Sequence, residues 1–169
     1  MKTYVLTVSR TFPGTHKRKG DETYFVEQIQ NALAHYKDGW PTGGFKMKLH
    51  TIRANYPLWK KRFEEIDKGE AYLSLRYWSG FPYKSKQVEF ARLTKDDGIG
   101  LQEFKVVEYV DEFVDERAAY VIDNSAKTMF LSETIANNDG LSIGDWREWF
   151  RNYDLSKHSA IIHFTNFRY

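Results

Sequence analysis

Short strand-forming runs, separated by turns and a few helical stretches, are what most constrain this chain. Thr3 to Val8, Tyr72 to Trp78, Gln87 to Leu93, Gln102 to Tyr109, Ala119 to Ile122 and Ala160 to Phe164 are such runs, rich in aliphatic and aromatic residues. Gly80 and Pro82 mark a turn between the second and third. Phe25, Val26, Ile29, Leu33 and Tyr36 repeat at helical spacing, with Thr23 a candidate N-cap and Gly39 a stop. Trp40 to Gly44 is rich in turn formers. Pro57 suits the first position of a second helix and Gly69 its end, and Trp59, Phe63 and Ile66 supply its apolar stripe. Ser132 to Asn137 predicts a short helix. Ser142 and Asp145 have capping-box spacing at the head of a last one that carries Trp146, Trp149 and Phe150 inward. Strict parallel βαβ alternation is missing. The pattern predicts an α+β fold, and more narrowly a small closed barrel with helices at its ends. At 169 residues and 41% hydrophobic content, one domain with its own core is expected.

Charge is informative only through its distribution, since the net charge is +2. Gly39 to Phe63 holds no acid but carries Lys46, Lys48, Arg53, Lys60, Lys61 and Arg62. Ala71 to Val88 is also acid-free, with Arg76, Lys84 and Lys86, while acids gather from Glu108 to Glu116. Should the two acid-free segments adjoin, they make a positive face for a phosphate-bearing ligand; the alternative is an ordinary mixed surface. Tyr72, Tyr77, Trp78, Phe81 and Tyr83 interleave with the second set of cations, as in surfaces that stack unpaired bases. Cross-strand ring pairs in a hairpin read the same way.

The chain has no cysteine, which excludes disulfides, thiolate metal sites and a catalytic thiol. His16, His35, His50, His158 and His163 lack metal-ligand spacing, so neither a metal nor another cofactor is expected. No apolar run is long enough for a leader or a membrane helix, which leads to the expectation of a cytoplasmic protein.

The segment Lys48-Leu-His-Thr-Ile-Arg53 carries the most chemistry. On a regular strand Thr51 and Arg53 share a face and Lys48 points away, so Lys48 meets Thr51 only across a bend. Brought together, they form either an anion pocket or an activated nucleophile. On an edge strand they are surface residues with no role.

These residues resemble the ASCH domain family of the PUA-like barrel superfamily. The matching stretches are Lys48 to Arg53 with Leu58-Trp-Lys60 after it, Ala136-Asn-Asn-Asp-Gly-Leu-Ser142 with Trp146 and Phe150, and the closing Ile161 to Phe167. The resemblance implies a PUA-like β-barrel over 45–169, elaborated by a strand and helix in 1–44. It further implies a ligand that is RNA, a nucleotide or a nucleoside. Some members deacetylate acetylated cytidine with a Lys, a Thr and a Glu. The first two correspond to Lys48 and Thr51. The third falls on Asp139, one methylene shorter, for which a water-bridged link to Lys48 is expected. Two functions follow. A binding module would use Lys48, His50, Arg53 and Arg76 for phosphate or base edges, and Trp59, Tyr77 and Trp78 for stacking. An amidohydrolase would use Thr51 as nucleophile, Lys48 as base and Asp139 to orient Lys48.

Overall fold

The computed structural model describes residues 1–39, 46–111, 114–127 and 131–169, with side chains outside 108–119 and 126–131. The stretch expected to turn at Trp40 to Gly44 and the acidic side chains from Glu108 to Glu116 lie outside these. In chain order the described elements are β1 (Lys2–Thr7), α1 (Phe25–Asp38), β2 (His50–Ala54), α2 (Tyr56–Asp67), β3 (Ala71–Trp78), β4 (Gln87–Leu93), β5 (Gly100–Asp111), β6 (Val114–Ile122), β7 (Ser125–Lys127), α3 (Leu131–Asn138), α4 (Ile143–Phe150) and β8 (Ser159–His163).

The fold is mixed α and β, with two sheets. One has the order β1-β3-β4 and the other β2-β8-β5-β6-β7. β1 runs parallel to β3, from Lys2 opposite Ala71 to Thr7 opposite Arg76; the remaining pairs are antiparallel. The parallel pair was not foreseen, because β1 and β3 are separated in sequence by α1, β2 and α2 and no local pattern joins them. All five residues of β8 are buried, so both of its faces are covered. It lies between β2 and β5, with Thr51 and Leu101 both opposite Ile162.

The N-terminal strand and helix share the core with the rest. Leu6, Val8, Phe25, Val26 and Ile29 are buried in one cluster with Leu73, Leu75, Phe104, Ile161 and Ile162.

Helix ends follow local chemistry, with two shifts from the sequence reading. α1 is capped by Tyr24 in the left-handed region, while Thr23 Oγ1 accepts from Phe25 N at 3.3 Å. In α2 Pro57 is second, because Asn55 turns left-handed at φ 65 and accepts from Leu58 N. The chain has no cysteine, and no described helix is long and apolar enough to cross a membrane.

Candidate functional site

Lys48 meets the Thr51 face because it lies outside the regular strand. Lys48 and Leu49 precede β2 and bond to three separate elements. Lys48 N donates to Gln28 O of α1, Leu49 N to Asn138 O of α3, and Leu49 O accepts from Phe164 N after β8. Regular strand begins only at His50. From there side chains alternate, so Thr51 and Arg53 take one face and His50 and Ile52 the other.

Lys48, Thr51, Arg53 and Asp139 line one cavity of about 330 Å³. Thr7, Val8 and Ser9 at the end of β1 supply a wall, as do Trp149, Phe150 and Tyr153 of α4 and the turn after it. Trp78, Pro82 and Tyr83 of the β3–β4 hairpin, with Phe25 and Leu141, complete the lining. The volume suits a ligand of nucleoside size.

Lys48 is 2% exposed and Asp139 3%. They form a direct ion pair through Asp139 Oδ1, and Lys48 Nζ also donates to Asp139 O. The expected water bridge is therefore corrected. Asp139 follows α3 directly and comes within reach because Gly140 beside it has no side chain. A Cβ on Gly140 would meet Gln28 Oε1 at 2.5 Å and Lys48 Cβ at 3.2 Å, and its φ is +81°. The other carboxylate oxygen, Oδ2, accepts from Trp146 Nε1 at 3.1 Å. The Phe25 ring lies under Lys48 Nζ, 4.2 Å from its centroid.

Burial sets the electrostatics. Removal from water pushes Lys48 below its ordinary pKa; Asp139 opposes that shift and Arg53 adds to it. Burial pushes Asp139 up, against Lys48, Arg53 and the Trp146 N–H. Burial thus works against the charged form of each group, while their mutual attraction works for it. Arg53 donates to Thr7 O at 2.8 Å and Ile52 O at 3.3 Å. No carboxylate lies within ion-pair distance of it among the described residues. With two cations and one carboxylate in the lining, the cavity favours an electron-rich or anionic group.

The other expected binding residues divide. Trp78 is at the mouth, its ring 5.2 Å from that of Tyr83, which is 89% exposed. Trp59 lies in the core, with the Arg62 guanidinium 4.5 Å above its ring. Arg76 faces Ser74 Oγ at 2.8 Å and Glu89 at 3.8 Å, and Tyr77 packs on Phe90 under Arg10. Neither Arg76 nor Tyr77 lines the cavity. His50 points to the far side of β2, where its Nε2 meets Tyr169 Oη at 2.7 Å. Helix packing turns Trp59 into the core and strand alternation turns His50 and Tyr77 away, whereas Arg76, on the same face of β3 as Trp78, is engaged by Ser74 and Glu89 and does not line the cavity.

The sequence reading missed the roles of Phe25, Gly140 and the Trp146 N–H. Trp146 was expected to point inward; that its indole addresses Asp139 is a tertiary fact. No three His, Cys, Asp or Glu side chains gather for a metal among the described residues. Comparison of the chain with family models, curated proteins and solved structures finds no match.

Proposed function

We propose that the chain binds an acylated cytidine, as a nucleoside or within RNA, and hydrolyses its amide, on a PUA-like barrel of the ASCH kind. The observation that carries the reading is the meeting of Lys48, Thr51 and Asp139 in one cavity, although Lys48 and Asp139 are 91 positions apart. The fold assignment rests on the Lys48–Arg53 motif and the Asp139 segment. Two sheets with α1, α2 and α4 packed against them are compatible with it.

In this mechanism the Thr51 hydroxyl oxygen adds to the amide carbonyl while its proton passes to neutral Lys48. A free lysine is almost wholly protonated at neutral pH. The burial that lowers Lys48 supports a base role. Asp139 then faces the ammonium that has formed. Collapse breaks the C–N bond, and the leaving nitrogen takes the proton back from Lys48. Water next cleaves the acyl–Thr51 ester, with Lys48 again moving the proton, and the carboxylic acid departs. Arg53 supplies the positive charge for the pyrimidine carbonyl or a phosphate.

A second reading, binding of RNA or a nucleotide without turnover, is favoured by one observation. Phe81 and Tyr83 stand 81% and 89% exposed on the hairpin beside the mouth, where unpaired bases can stack. Incubation with acetylcytidine separates the two. Release of cytidine and acetate, abolished in Thr51→Ala, supports hydrolysis. Binding with no release leaves the second reading and removes the first.

A further inference from the structure

We propose that His50 is a positioning residue whose Nδ1–H faces the Asp139 carboxylate from behind and holds it toward Lys48. The inference rests on the hydrolytic reading of the cavity. His50 is wholly buried, and its Nδ1 is without a hydrogen-bond partner. That atom lies 4.0 Å from Asp139 Oδ1. The separation exceeds a hydrogen bond, so the interaction is electrostatic, and burial makes it count.

The surrounding bonds favour one ring nitrogen as the carrier of the proton. Asn138 Nδ2 donates to Tyr169 Oη at 3.1 Å. The Tyr169 hydroxyl proton then has His50 Nε2, 2.7 Å away, as its acceptor. A neutral imidazole that accepts at Nε2 carries its hydrogen at Nδ1, toward Asp139. Neighbouring His163 has the opposite arrangement. Gln102 Nε2 donates to Asp123 Oδ2 at 2.8 Å, which leaves Gln102 Oε1 as an acceptor. That oxygen takes bonds from Tyr169 N at 3.0 Å and His163 Nε2 at 2.9 Å. His163 therefore holds its proton at Nε2.

Four titratable groups face His50: Asp139 after α3, Lys48 before β2, His163 on β8, and Tyr169. An N–H aimed at Asp139 favours its ionised form. That is the form required when Lys48 has taken the proton of Thr51, so the dipole stabilises the charged pair as it develops. His50 touches neither the cavity nor substrate. It acts through Asp139.

The first test is the tautomer of each histidine in the unaltered, ¹⁵N-histidine-labelled protein, read by long-range ¹H–¹⁵N NMR. The proposal requires the proton on Nδ1 of His50 and on Nε2 of His163. A proton on Nε2 of His50 overturns it, whether or not any variant folds. The second test is the pH profile of acetylcytidine hydrolysis. His50→Gln can reach Tyr169 but offers no donor at the Nδ1 position, whereas His50→Asn keeps one there. His50→Gln should lose kcat about tenfold or more with KM little changed. Its acid limb should move to higher pH, because Asp139 binds its inactivating proton more readily. His50→Asn should restore the limb. Equal profiles for wild type and His50→Gln defeat the proposal alone. Absence of turnover by wild type defeats the hydrolytic reading, and this proposal with it.

Discussion

Acid should destabilise this fold through His163, and by an amount that can be worked out. The ring is fully buried, its Nε2–H is held by Gln102, and its Nδ1 has no partner. A second proton would sit on Nδ1 in an apolar setting, so burial pulls the pKa down from 6.5 to about 3. The unfolded imidazole keeps its ordinary value. As pH falls below 6.5 the unfolded chain takes up the proton first, and stability is lost until the folded pKa is reached. Each proton of difference changes stability by about 1.4 kcal/mol per pH unit, which for this one residue gives roughly 2.5 kcal/mol between about pH 7 and about pH 4.5. His163→Gln keeps a donor of similar reach without a titrating ring. Urea unfolding at both pH values should show wild type losing roughly 2.5 kcal/mol more than the variant over that interval, whatever their difference at neutral pH. Equal losses in the two proteins would refute a neutral buried His163.

Lys48→Met leaves the Asp139 carboxylate buried without its cation and should cost about 3–5 kcal/mol in urea unfolding; a loss under about 1 kcal/mol would mean that the pair is solvated. Gly140→Ala should destabilise by more than about 1 kcal/mol in the same assay, from its left-handed backbone and the crowding against Gln28. Asp139→Glu should lower kcat for acetylcytidine, because Asp139 already meets Lys48 and an extra methylene overfills the site; a gain would show that the shorter side chain is a defect. Single-stranded RNA, if it binds, should weaken with salt at a log–log slope of about −0.7 per phosphate contact, and affinity indifferent to salt would remove the phosphate role of Arg53.

Much of the local structure was legible in the sequence because local chemistry decides it. The β3 and β4 runs, the stop at Gly39 and the Ser142 cap all stand where their residues put them. The pairing of β1 with β3 was not legible, since their parallel ladder joins strands far apart in the chain and no local pattern specifies it. The candidate site was legible to the extent that it is carried by one segment. Lys48, Thr51 and Arg53 line the cavity, whereas His50, one position before Thr51, faces away by strand alternation. Arg76 and Tyr77 precede Trp78 directly, yet only Trp78 reaches the mouth. The closeness of Asp139 to Lys48 depends on Gly140, whose missing side chain lets α1 and the Lys48 segment approach the turn. A reading of Asp against Glu by length alone cannot include that approach.

In the proposed mechanism Lys48 and Thr51 act on an acyl substrate as one unit, a joint action open to direct measurement. It is tested most directly by the kinetics of acetylcytidine hydrolysis for wild type, Lys48→Ala, Thr51→Ala and the double variant, each first shown to be folded. Each single variant should lose most of kcat, and the double variant should be little worse than the poorer single one. Full activity in Thr51→Ala, or losses that multiply in the double variant, would contradict it.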